Sequence, residues 1–344
     1  MRIFTGFVLA AVFTGAAAQP QYEVVDLTKM FGEELTAVDI NNNGVVVGHM
    51  RLSSTEYQAC IIENGKLTML PMYQGVHDWY PIGIGDNGDV LGAGLIGKPY
   101  GYSSLLYRNG KVIDIGITGH QNFPGSFGIN NTGHVTGFLG NTPFIWDDGN
   151  VTTIPGGGTG RAINDSDQIA GTRGTRATTW INGKAIDLHP AWADDSFAAS
   201  INAKGEIAGD AWRIAGGQRG VLWQNGKAID LGDFGGGQSR AYDVNDLSQV
   251  VGWASMAGQP DEGFLWENET MYRLTNYIGE HPGFLWLEAA FSINNRSQIL
   301  TTAAGGTQVG HQLLLNPVPE PTTTLTIICG ILSIAVSRRK GRHG

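Results

Sequence analysis

The chain repeats itself, and that limits its fold more than any other feature. The string Ile163-Asn164-Asp165-Ser166-Asp167-Gln168-Ile169-Ala170-Gly171 has partners beginning at Ile40, Ile84, Ile129, Ile201, Val244 and Ile293. The successive spacings are 44, 45, 34, 38, 43 and 49 residues. A second string follows in six of the seven copies, clearest as Val221-Leu222-Trp223-Gln224-Asn225-Gly226-Lys227-Ala228-Ile229-Asp230-Leu231. It recurs around Ile62-Asn64-Gly65, Tyr107-Asn109-Gly110, Trp146-Asp148-Gly149, Trp180-Asn182-Gly183 and Trp266-Asn268. A period near 40 residues marks an array whose units bury their apolar faces against one another.

Each unit reads as four short strands. The first ends at the Ile before Asn. A turn such as Asn130-Asn131-Thr132-Gly133 leads into the second, Val135 to Gly137, with glycine supplying the left-handed residue that closes a hairpin. Copies four, six and seven place Asp167, Ser248 and Ser297 there instead, and serine is less comfortable in that conformation. The third strand is the apolar-aromatic triplet, which turns through Asn-Gly, the strongest two-residue hairpin signal, into the fourth. Four strands in about 42 residues, seven times over, predict an all-β chain forming a seven-bladed β-propeller. A β-helix needs rungs of roughly 20–29 residues with fewer turns, and a β-sandwich would not repeat sevenfold. The 51 glycines fit a turn-dense fold with many positive-φ positions.

The last copy has only three strands, ending near Leu313-Leu314-Leu315. The missing fourth has a counterpart at the other end, Tyr22-Glu23-Val24-Val25-Asp26-Leu27, which matches Lys227 to Leu231 in pattern. Pairing it into the last unit would close a ring and remove an exposed sheet edge.

The repeat resembles the HAF family of bacterial extracellular repeats over most of residues 22–316. Asn245-Asp246-Leu247-Ser248-Gln249-Val250-Val251-Gly252, Gly263-Phe264-Leu265-Trp266 and Leu285-Trp286-Leu287-Glu288-Ala289-Ala290 carry the likeness best. Departures are Gly85 for Asn in copy two, Thr301 for the closing Gly in copy seven, and Glu269 for a turn Gly. The resemblance implies a surface repeat protein and no reaction.

Both ends read as addresses. Met1-Arg2, an apolar stretch from Ile3 to about Phe13, and Gly15-Ala16-Ala17-Ala18 make a signal peptide over 1–18. At the other end Val318, Pro319, Glu320 and Pro321 precede an apolar run over 322–337 and the basic stop Arg338, Arg339 and Lys340. As a helix of about 24 Å the run is short for a hydrocarbon core of roughly 30 Å, and snorkelling basic side chains could close the gap. The basic cluster is expected to stay cytoplasmic, with the body outside the inner membrane. Residues 317–344 resemble the PEP-CTERM sorting signal of exopolysaccharide-producing Gram-negative bacteria. That likeness implies processing by an exosortase, with a transmembrane helix that tethers the precursor to the inner membrane only transiently. The body, residues 19–316, would then reach the outer surface or the extracellular space.

Charge narrows the partners. Of the 22 basic residues, four fall in the last seven positions and Arg2 in the leader. Residues 19–337 thus hold 17 basic against 31 acidic groups, the wrong sign for nucleic acid. Cys60 and Cys329 have no CxxC neighbour, so no redox or metal motif is present, and no cofactor is implied. The string Asp86-Asn87-Gly88-Asp89 lacks the ligand order of a calcium loop and reads as turn chemistry.

The two tight turns of each unit fall on one face, so the longer connections share the other. These are residues 71–82, 93–103, 189–198, 253–262 and 275–290. Trp146, Trp180, Trp223 and Trp266 occupy one strand slot and read as core, each worth roughly 3 kcal/mol of burial. Trp79, Trp192, Trp212, Trp253 and Trp286 lie outside it. Function on a rigid scaffold tends to sit on variable loops. The expected site is a glycan- or surface-polymer-binding face with Trp79, Tyr80 and Trp192 as stacking platforms. Asp78, Asp194 and Asp195 would supply hydroxyl or calcium contacts. Two other classes compete. One is a polysaccharide hydrolase or lyase using His77 with Asp78, or the pair Asp194 and Asp195. The other is a purely structural matrix or adhesive protein. No HExxH, G-x-S-x-G or Walker motif occurs.

Overall fold

The computed structural model describes residues 21–96, 101–118, 125–279, 286–305 and 308–318. Residues 1–18, expected as a leader, and Pro319, Glu320, Pro321, the apolar run 322–337, Cys329, and Arg338, Arg339 and Lys340 lie outside the described residues. Among the described residues no helix is long and apolar enough to cross a membrane. Tyr22–Pro317 forms one compact unit.

Local turn chemistry builds this unit from four-stranded antiparallel sheets, five of them separate. The exception is an eight-stranded sheet, in which copies one and two are joined by a single parallel bridge, Tyr57 to Asp78. Copy five shows the pattern, with strands Asp195–Ile201, Ile207–Arg213, Gly217–Gln224 and Lys227–Asp230 in sequence order. Every first strand ends at the Ile or Val before Asn, or before Gly85 in copy two, as the repeat predicts. The turn glycines Gly44, Gly88, Gly133 and Gly205 hold φ from 78° to 87°, and Asp167, Ser248 and Ser297 sit in the same left-handed region at 57°, 62° and 58°. The hairpin geometry therefore overrides the residue preference at those three positions.

Tyr22–Asp26 pairs antiparallel with Gln308–Pro317 and completes the sheet of the last copy. Tyr22 lies opposite Pro317, where Gln224-Asn225-Gly226-Lys227 makes a tight turn in copy five. The two ends of the body thus stand in place of one Asn-Gly turn. Leu27 does not continue the strand: it begins a short helix, Leu27–Phe31, capped by the Asp26 carboxylate on Lys29 N–H at 2.8 Å.

The apolar core lies between consecutive sheets. One cluster joins Ala170 and Ala177 of copy four to Ile207, Val221 and Trp223 of copy five. Another joins Leu300 and Leu314 of copy seven to Leu35, Val46 and Cys60 of copy one. Trp146, Trp180, Trp223 and Trp266 are all buried there, and the Trp223 indole N–H reaches across to Leu188 O at 2.7 Å. Burial pushes the Cys60 thiol up to about 12, which keeps it protonated and unreactive.

All seven first strands carry a one-residue bulge near their end, as between Ala198 and Ser200 or Ala241 and Asp243. The bulge drives a carbonyl at the closing glycine of the repeat. A Cβ on Gly252 would lie 1.9 Å from Arg240 O, and one on Gly209 2.0 Å from Phe197 O. Copy seven escapes this. Its first strand has a second register shift between Leu287 and Ala289, and the Thr301 hydroxyl donates to Ala289 O at 2.9 Å.

Candidate binding face and axial channel

The turn face is a hydrogen-bonded belt. Asn41 Nδ2 donates to Gly85 O, Asn130 to Asn164 O, Asn164 to Asn202 O, Asn202 to Asn245 O, Asn245 to Asn294 O, and Asn294 back to Asn41 O, all at 2.8–3.0 Å. Each buried Asn also accepts from its own turn, as Asn164 Oδ1 does from Ser166 N and Gln168 N. The one gap is Gly85, which has no amide to donate. There Asn87 Oδ1 accepts from Asp89 N at 2.9 Å in its stead.

A second belt runs through the following residue of each copy. Asp86 accepts from Asn42 N, Asn131 from Asp86 N, Asp165 from Asn131 N, Asp246 from Ala203 N, Asn295 from Asp246 N, and Asn42 from Asn295 N, at 2.7–2.8 Å. The Asp86 carboxylate is thus engaged by the neighbouring turn, and Asp89 holds Arg108 at 2.7 Å. These belts rim a cavity of about 190 Å³ at the axis.

Behind the rim lies an axial cavity of about 290 Å³. The bulged residues of the first strands face it, among them Phe127, Arg161, Tyr242 and Phe291. The Arg161 guanidinium lies 5.4 Å from the Phe127 ring centroid, and burial together with nearby Arg240 holds its pKa down. Ser200, Asp243, Ser292 and Asp39 form a polar arc on one side. Asp39 accepts from Ser292 Oγ at 2.7 Å and Ile84 N at 3.0 Å, and Asp243 from Ser200 Oγ at 2.5 Å and Ile293 N at 2.9 Å. Each carboxylate therefore straps its own sheet to both neighbours. Burial holds both above the usual carboxylate range, and repulsion from Asp243 adds to the shift at Asp39.

The loop face is irregular. Several segments expected as long connections are strand: Val76–Ile84 covers much of 71–82, Asp195 begins a strand, and Val250–Met256 meets Gln259–Glu267 through a short hairpin. In Val76–Ile84 the added length buries Val76, Trp79 and Pro81, with a register shift between Val76 and Trp79.

This relocates one expected contact. Trp79 has no exposed surface and packs with Val76, Val90 and Leu105, so its ring fills the core and cannot serve as a stacking platform. Tyr80 is half-buried in an aromatic cluster with Tyr57 and His49, its ring centroid 5.0 and 5.3 Å from theirs. Burial first, then Asp78, Tyr102 and Tyr57, raises the Tyr80 phenol to about 12. Asp78 accepts from Tyr57 N at 3.1 Å, and His77 is exposed beside it.

Trp192 is half-buried, with the Arg213 guanidinium 4.3 Å from its ring centroid. Asp194 accepts from Ile214 N at 2.7 Å, and Asp195 pairs with Trp212, which is 42% exposed. The expected residues therefore form two groups, Asp78 with Tyr80 in copy two, and Trp192, Asp194 and Asp195 in copy five. The residues that sequence reasoning missed are His49, Tyr57 and the bulged channel residues. The signal for the latter was present: a position two before the repeat's Ile-Asn that varies from Ala199 to Arg161 to Tyr242.

No protein-family model and no curated protein matches the sequence. Solved structures do match. A structure of YCF48 bound to D1 peptide is 11% identical, with a TM-score of 0.54, covering 87% of this chain and 97% of that one. A prolyl endopeptidase structure is 11% identical with a TM-score of 0.50, covering 82% of this chain and 46% of that one. TolB from Acinetobacter baumannii is 10% identical with a TM-score of 0.41, over 84% of this chain and 64% of that one. This chain spans under half the length of the endopeptidase and under two thirds of TolB. At such identities the likeness bears on fold alone. The fold is a β-propeller.

Proposed function

We propose that the chain is an exported, non-catalytic surface protein, a seven-bladed propeller that binds a glycan or other surface polymer through its loop face. The observation that carries this reading is the contrast between the faces. The turn face spends its polar groups on its own belts, while the loop face keeps half-exposed Tyr57, Tyr80, Trp192 and exposed Trp212 beside carboxylates. Such aromatic and polar groups on a rigid support suit a polymer ligand.

In this reading Val318 to Pro321, the run 322–337 and Arg338, Arg339 and Lys340 act as an exosortase-processed sorting signal, and residues 1–18 as a cleaved leader. The inner membrane is then a transient station before the outer surface.

The test is retention of the protein on extracellular polysaccharide of its host. Tyr80→Ala combined with Trp192→Ala should release it at least several-fold. Unchanged retention, with an unchanged melting temperature, would remove this face from the account.

A further inference from the structure

Between the sheets of copies six and seven, on the loop face, lies a pocket of about 280 Å³ lined by Trp253, Pro260, Asp261, Trp286, Glu288 and Ala289. Three strands build it. Trp253 stands on Val250–Met256, Asp261 on Gln259–Glu267, and Trp286 and Glu288 on Trp286–Ile293. Both tryptophans are half-buried, so each is held by the fold and still offers surface to a ligand. The volume stands just below that of most small-ligand sites, roughly 300–1,000 Å³.

Two carboxylates give this pocket its charge. Several acidic groups elsewhere on the loop face are engaged: Glu262 by Arg273 at 2.7 Å and Thr275 at 2.8 Å, Asp194 by Ile214 N, Asp210 by Gln218 and Trp212. Among the described residues, neither Asp261 nor Glu288 has an ion pair or a hydrogen-bonded side-chain partner, and no Lys or Arg lines the pocket. Two uncompensated negative charges in a pocket lined by two indoles favour a cation, by charge and by the negative faces of the rings. The flat apolar face of a sugar ring also packs well on indole. A neutral hexose would use the rings and leave the charge unbalanced. An anionic sugar would be repelled.

We infer that this pocket binds a hexosamine with a free, protonated amine, presented on a polymer, with Trp253 and Trp286 against the sugar and Asp261 and Glu288 on the ammonium. The inference rests on the loop-face reading above and names its ligand class.

The experiment titrates the full chain at about pH 6 with a glucosamine hexamer, its N-acetylated counterpart, cellohexaose and hexalysine, read by tryptophan fluorescence and calorimetry. The glucosamine hexamer should bind at least tenfold more tightly than either neutral oligomer, and its affinity should fall with added salt. Asp261→Asn with Glu288→Gln should erase the preference for the amine, and Trp286→Ala should abolish binding with little change in melting temperature. Equal binding of the N-acetylated hexamer, equal binding of hexalysine, or no binding at all would each overturn the inference. Retention on native polysaccharide separates the two levels. If retention survives Trp253→Ala and Trp286→Ala but is lost on changing Tyr80 and Trp192, the pocket is wrong and the face is right. If no loop-face change affects retention, the broader reading fails as well.

Discussion

The two faces of this propeller are made from the same strands and solve opposite problems. On the turn face one short sequence is used seven times, and its amides link copy to copy from Asn41 round to Asn294 and back, broken only at Gly85. On the loop face no two copies agree. Copy one offers His49 and Tyr57, copy five Trp192 and Trp212, copies six and seven Trp253 and Trp286. Identity between copies is what a closed belt requires, because each turn must fit the next. Variation is tolerated where nothing has to interlock, and binding groups can accumulate there.

The sharpest way to break this contrast is to open the ring. Deleting residues 22–27 removes the strand paired with Gln308–Pro317 and strips Tyr22 and Leu27 from two inter-sheet clusters. The loss should exceed about 3 kcal/mol, a fall in melting temperature on the order of 10 °C. An unchanged melt would mean that the pairing contributes nothing to closure.

Next in size is the belt itself. The Asn164 side chain is buried, donates to Asn202 O and accepts from two turn amides. Asn164→Ala should cost about 2–3 kcal/mol by stranding those partners, whereas Tyr80→Ala, on the half-exposed side, should cost roughly 1 kcal/mol. Denaturant unfolding of the pair of variants checks the ranking. Equal losses would erase the distinction between scaffold and display.

A smaller effect separates the axis from both faces. Asp39 and Asp243 have raised pKa values, so the stability they contribute is fully present below the ordinary carboxylate range and lost as pH rises through the raised values. Asp187 and Asp233 are shifted the other way, mainly through hydrogen bonds and arginine partners acting against burial, and their contribution is lost as pH falls through their lowered values. Melting temperature should therefore climb as pH drops from neutral to mildly acidic, then fall in stronger acid. Asp39→Asn together with Asp243→Asn should flatten the climb. A wild-type melt that only declines on acidification would contradict this balance.

Much of the fold could be read from residues because turn chemistry is local. Asn225-Gly226 specifies its hairpin without help, and the tryptophans of the third strands announce the core by recurring in one slot. The closing strand was legible too, since Tyr22–Asp26 copies the pattern its sheet lacked. What could not be read was depth. Trp79 and Trp192 look alike in sequence, yet one is wholly inside and the other half outside. That difference depends on how far strand pairing extends beyond the repeat, which only the packed neighbours decide. The bulge was hidden for the same reason: it is a register property of two strands, and one strand alone does not reveal it.

The most direct test of the account is hydroxyl-radical footprinting of the protein with and without the extracellular polysaccharide proposed as its ligand. Tyr57, Tyr80, Trp212, Trp253 and Trp286 should be protected, while turn-face side chains such as Leu247, 57% exposed, react as before. Protection of the turn face with the loop face unchanged would contradict it.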